Sequence, residues 1–132
     1  MKKKITASIA ALLVISLIPI TAMASTSSAM LYTNETTKET GCVGNTSGFF
    51  RMWGSVGASS VYAVEFKLMG GSDSNNCTTC LKSESCASNN SFGAITVNAN
   101  KNTYSVGKVV MYGNNYNYPM YHCIASAGVG NT

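Results

Sequence analysis

In Val61-Tyr-Ala-Val-Glu-Phe-Lys-Leu68, Tyr62, Val64, Phe66 and Leu68 fall on one face and Val61, Ala63, Glu65 and Lys67 on the other. A period of two with charge on one side only is the mark of a half-buried β-strand. It constrains the fold because no window of the chain offers the competing pattern, a sustained helical period with caps. Phe49 to Val56, Phe92 to Ala99, Thr103 to Tyr112 and Tyr118 to Ala125 read as further strands. Gly57-Ala-Ser-Ser60, Asn100-Lys-Asn102 and Gly113-Asn-Asn115 supply turn chemistry between them, and the first reads as a hairpin turn. About five to seven short strands with Gly/Asn/Ser turns predict an all-β, single-domain antiparallel sandwich or small barrel. The β domain spans 49–132, and the Ser/Thr/Asn-rich segment 25–48 reads as loose, contributing one strand around Met30-Leu31-Tyr32.

The first 24 residues belong to a different object. Met1-Lys-Lys-Lys4 precedes a charge-free apolar run from Ile5 to Ile20 and then Thr21-Ala-Met-Ala24. Basic start, apolar stretch and Ala-x-Ala are the parts of a secretory signal peptide, bacterial in type, and the run is short of the roughly 20 residues that a spanning helix needs. Cleavage after Ala24 leaves 108 of the 132 residues and removes three of the nine basic ones, so the net charge falls from +4 to +1. The remaining charges are scattered. Phosphate backbones are bound by clustered Lys and Arg, so nucleic acid is not an expected partner. No other segment reaches spanning length, so no membrane association is expected after cleavage, and the localisation is read as secreted.

Export decides how Cys42, Cys77, Cys80, Cys86 and Cys123 are read, because outside the cell thiols pair by default. Two bridges are expected. One lies within the cysteine-containing loop between Gly70 and Ser91 or runs from it to Cys42, and one anchors Cys123 to an earlier element. The fifth cysteine is left unpaired or forms a covalent dimer. Two sharper chemistries compete. Cys77-Thr-Thr-Cys80 has the spacing of dithiol oxidoreductases, but that chemistry wants a thiolate at a helix N-terminus. Cys77, Cys80 and Cys86 with His122 or Cys123 could ligate zinc, but a second tight pair is missing. No metal and no cofactor is expected. Adjacent His122 and Cys123 on a strand point to opposite faces and cannot share a proton.

No catalytic motif stands out: Glu35, Glu39, Glu65, Asp73 and Glu84 form no evident pair, and nucleophile-elbow, zincin and phosphate-loop patterns are missing. The chain is therefore not read as an enzyme, and a small extracellular hydrolase ranks third. Tyr112-Gly-Asn-Asn-Tyr-Asn-Tyr-Pro-Met-Tyr121 is the most distinctive stretch. Its plainer reading is a hairpin turn whose flanking tyrosines pack on the sheet; as a binding loop, Tyr112, Tyr116, Tyr118 and Tyr121 offer faces for stacking, and Asn114 and Asn115 offer hydrogen bonds. The expectation is a small secreted protein that binds or assembles at the cell surface, with a cell-wall glycan or a surface protein as partner. A bacteriocin-like antibacterial polypeptide is the alternative.

Overall fold

The computed structural model describes residues 25–113 and 123–131. The segment 1–24 read as a signal peptide, His122 and the loop candidates Asn114, Asn115, Tyr116, Tyr118 and Tyr121 lie outside the described residues. Nine strands are found among the rest: β1 (Thr26–Leu31), β2 (Thr37–Glu39), β3 (Val43–Gly44), β4 (Phe49–Val56), β5 (Val64–Gly71), β6 (Thr79–Cys86), β7 (Ser91–Asn98), β8 (Val106–Tyr112) and β9 (Ala125–Gly130). No described helix is long and apolar enough to cross a membrane.

The pairing is nested. β5 and β6 form a hairpin, and β4·β7, β2·β8 and β1·β9 close successively outside it, all antiparallel. This doubled ribbon then wraps on itself, so that β9 also pairs with β4 and β8 with β5. The result is a four-stranded sheet in the order β1-β9-β4-β7 facing a sheet in the order β2-β8-β5-β6, with β3 added alongside β8. Nested pairs wrapped into two facing sheets are the connectivity of a jelly roll, so the all-β expectation resolves to a sandwich, not a barrel.

The wrap corrects several local readings. β4 and β5 lie in different sheets, so Gly57–Ser60 is a crossover and not a hairpin turn. It is fastened by the Ser60 hydroxyl, which donates to the Ile124 carbonyl (3.1 Å) and accepts from the Ile124 amide (2.9 Å). The Asn100 turn likewise carries the chain from one sheet to the other. Segment 25–48, expected to be loose, supplies β1, β2 and β3. The stretch read as a cysteine loop contains β6, an edge strand whose ladder is provided by β5.

The core forms where the alternating faces meet. Phe50 and Met52 from β4, Val64, Phe66 and Leu68 from β5, Val109 and Met111 from β8, Leu31 and Val129 are fully buried. Tyr62, expected on the buried face, precedes β5 and is exposed. Phe66 meets Phe92 edge-on at 5.1 Å between centroids, a favourable quadrupole arrangement. Gly54 makes room for that pair, since a Cβ there would stand 2.6 Å from Phe66 and 2.8 Å from Phe92.

Candidate functional site

Period-two alternation that buries one face of β5 and β8 must present the other outward. Registered across the sheet, the outward residues form rows. Thr37, Tyr112 and Glu65 make one row, and Glu39, Val110 and Lys67 the next. Met69 stands beside Lys108 in the third. With Cys77 and Thr78 from the β5–β6 connection, residues from these rows line an open depression of about 380 Å³. Met69 and Val110 give it an apolar floor, and Thr37, Thr78, Glu39 and Lys108 bring polar groups to its walls.

Its charges are locally balanced. Lys108 Nζ lies 2.9 Å from Glu39 Oε2, and that hydrogen bond raises the lysine pKa above its ordinary value, so the ammonium persists although its side chain is largely covered. Lys67 Nζ sits 5.2 Å from the centre of the Tyr112 ring, a cation–π contact, and 3.7 Å from Glu65 Oε1. The Ser83 hydroxyl donates to Glu65 at 2.8 Å. Tyr112 remains exposed at the rim, where β8 gives way to the tyrosine-rich segment.

Of the expected binding residues, the described one, Tyr112, lines this depression. Glu39, Lys67, Lys108, Thr37, Met69 and Val110 were missed, since nothing in the sequence brings β2, β5 and β8 together. For Lys108 and Val110 a signal was present in Lys108-Val-Val-Met-Tyr112, whose alternate members Lys108, Val110 and Tyr112 share one face.

No two of the five cysteines stand at disulfide distance in the structure, where neither of the two expected bridges is formed. Cys77 is buried, its thiol donates to the Met69 carbonyl at 3.1 Å, and exposed Cys42 stands near enough to act on its titration. Burial, then the neighbouring Cys42, push the Cys77 pKa up to about 11. Cys80 is exposed and Cys86 is buried at the far end of the same strand. Six residues of strand separate them by roughly 20 Å, so Cys77, Cys80 and Cys86 do not converge as ligands. Among the described residues no three His, Cys, Asp or Glu side chains gather as a metal site would require. Burial, then Glu84, raise the Cys86 pKa as well. Cys123 is fully buried, with its thiol 3.4 Å from the Tyr62 carbonyl.

Comparison with models of known families, with curated proteins and with solved structures finds no match to this chain.

Proposed function

We propose that the mature chain is an exported binding protein that takes a neutral glycan segment, such as a cell-wall polysaccharide, in the depression on the outer face of the five-stranded sheet. The observation that carries this reading is the exposed Tyr112 ring at the rim of an apolar floor, opposite the Glu39–Lys108 pair. Sugars present apolar C–H faces that stack on aromatic rings and hydroxyls that bond to fixed charged or amide groups. Lectins are among the domains built on jelly rolls, which is support by analogy of fold alone.

Geometry favours binding over hydrolysis. Glu39 on β2 and Glu65 on β5 are separated by the whole of β8, and they are not directly across the register from one another. Each also has a lysine against it.

Cleavage after Ala24 would leave the clasp at Ser25 in place. Its backbone nitrogen, which cleavage converts to an ammonium, already faces Asn131 Oδ1 at 2.9 Å. Pull-down on insoluble peptidoglycan and a panel of insoluble polysaccharides tests the binding reading. Tyr112→Ala and Lys108→Met are expected to weaken retention at least about tenfold, the scale of a central interface residue. Full retention of both variants, or no retention of the wild type on any polymer, rejects it.

A further inference from the structure

Asp73-Ser-Asn-Asn76 folds the chain back on itself. Asp73 Oδ1 accepts from the backbone amides of Asn75 (2.8 Å) and Asn76 (3.0 Å), and Oδ2 accepts from the Asn76 side chain (2.8 Å). These bonds hold the Asp73 pKa below its ordinary value, the Asn76 side chain first among them. The returning backbone of Asn76 and Cys77 then crosses the outward face of β5 at Gly71, where any Cβ would clash with the Asn76 carbonyl and stand 2.6 Å from the Cys77 Cα. Only a residue without a side chain permits that crossing.

The crossing delivers Cys77 to β8, where its sulfur lies 3.9 Å from the Val106 carbonyl. Cys42 arrives at the same stretch from the other side. It immediately precedes β3, whose Val43 and Gly44 pair with Gly107 and Val106. Two segments remote in sequence are thus folded onto one short piece of β8, each bringing a cysteine.

We propose that Cys42 and Cys77 are a disulfide-forming pair whose oxidation ties the lead-in of β3 to the β5–β6 connection and fixes the wall of the depression that Cys77 lines. The reading of this chain as exported supplies the setting. The oxidant is an organic disulfide, whether a small molecule or a thiol–disulfide oxidoreductase. Exposed Cys42 attacks one oxidant sulfur as thiolate, forming a mixed disulfide and expelling the other sulfur as thiolate. Cys77 loses its proton and attacks the Cys42 sulfur, expelling the second oxidant thiolate. The two protein thiols lose two protons and two electrons, and the oxidant disulfide leaves as two thiols.

Because burial raises the Cys77 pKa, the second step is the slow one and quickens as pH rises. The charged and titratable groups around Cys77 are Cys42 and Lys108, with Glu39 held on Lys108. Cys80, three residues on, takes no part.

The test is peptide mapping of reduced, purified full chain after incubation with oxidised and reduced glutathione, with alkylation before digestion. The expected product joins the Cys42 and Cys77 peptides, raises Tm by on the order of 10 °C and forms equally in Cys80→Ser. Asp73→Ala, which loosens the fold-back without touching the core, is expected to slow closure several-fold. Both cysteines alkylated, Cys42 carrying glutathione with no internal link, or a Cys42–Cys80 link each overturn the proposal. Protein recovered from culture medium separates the two readings. A chain that stays in the cell but closes with glutathione rejects export alone, whereas secreted protein with Cys42 and Cys77 both alkylatable rejects the pair alone.

Discussion

The indole of Trp53 on β4 covers Gly128 on the neighbouring β9, and a Cβ at Gly128 would overlap ring atoms Cε2, Cζ2 and Nε1. Gly130, on the same face, would touch the ring at 3.5 Å. The largest side chain on the outer face of the four-stranded sheet is thus half-buried on a strip of bare backbone, with no third layer above it among the described residues.

Gly128→Ala is therefore expected to lift the ring and cost about 1–3 kcal/mol, as overpacking does. Trp53 is the single tryptophan, so its emission reports the site alone. A shift to longer wavelength together with a lower Tm is expected for Gly128→Ala. Gly93→Ala, where a Cβ would meet nothing, is the control. An unchanged spectrum in Gly128→Ala sinks the idea.

The Phe66–Phe92 contact and Gly54 make one unit in the core, and that predicts coupling. Gly54→Ala is expected to destabilise by about 1–3 kcal/mol because its Cβ meets both rings. In a Phe66→Leu background the same substitution should cost less, with an interaction energy of about 0.5–3 kcal/mol in a denaturant double-mutant cycle. Additive losses would mean that the rings yield independently of residue 54.

Asn131 fastens both ends of the chain that the structure describes. Its Oδ1 accepts from the Ser25 nitrogen, and its Nδ2 donates to the Gly44 carbonyl (2.9 Å) and Ser25 Oγ (3.0 Å). The side chain is buried, so Asn131→Ala leaves polar partners stranded at about 1–3 kcal/mol. Faster amide hydrogen exchange along β1 than along β5 is the expected signature. Equal exchange in variant and wild type would show that the clasp contributes nothing to β1.

What the sequence reveals here follows from which forces are local. Val64, Phe66 and Leu68 alternate with charge, so β5 is legible, and Phe49–Val56 is β4 to the residue. β6 is hidden because its inward positions hold Cys86 and Glu84 with only Leu81 as a large aliphatic, and its stability comes from β5. β2 and β3 are three and two residues long, too short to carry a period. Gly57–Ser60 and Asn100–Asn102 are legible as turns, yet the wrap of the whole ribbon decides whether a turn joins strands of one sheet or crosses between two. The depression is legible only at Tyr112, because Glu39, Lys67 and Lys108 meet through cross-strand register. The fold-back at Gly71 is a contact between backbone segments, which no side-chain pattern announces.

The buried Cys77 thiol gives the reduced protein a dependence on alkaline pH. Desolvation raises its pKa from about 9 in an unfolded chain to about 11 in the fold, with Cys42 adding to the shift and Lys108 opposing it. Between those values the unfolded chain has released a proton that the native state still holds, so the unfolded state binds fewer protons and stability falls with rising pH. The contribution is whole below about pH 9 and is lost as pH approaches 11. With a phosphine reductant present to keep the thiols reduced, wild type is expected to lose more Tm between about pH 8 and pH 10.5 than Cys77→Ala, which lacks the titrating group. The difference between the two proteins cancels the titration of lysines and tyrosines common to both. Parallel curves would mean that the Cys77 proton is released as readily in the fold as in the unfolded chain.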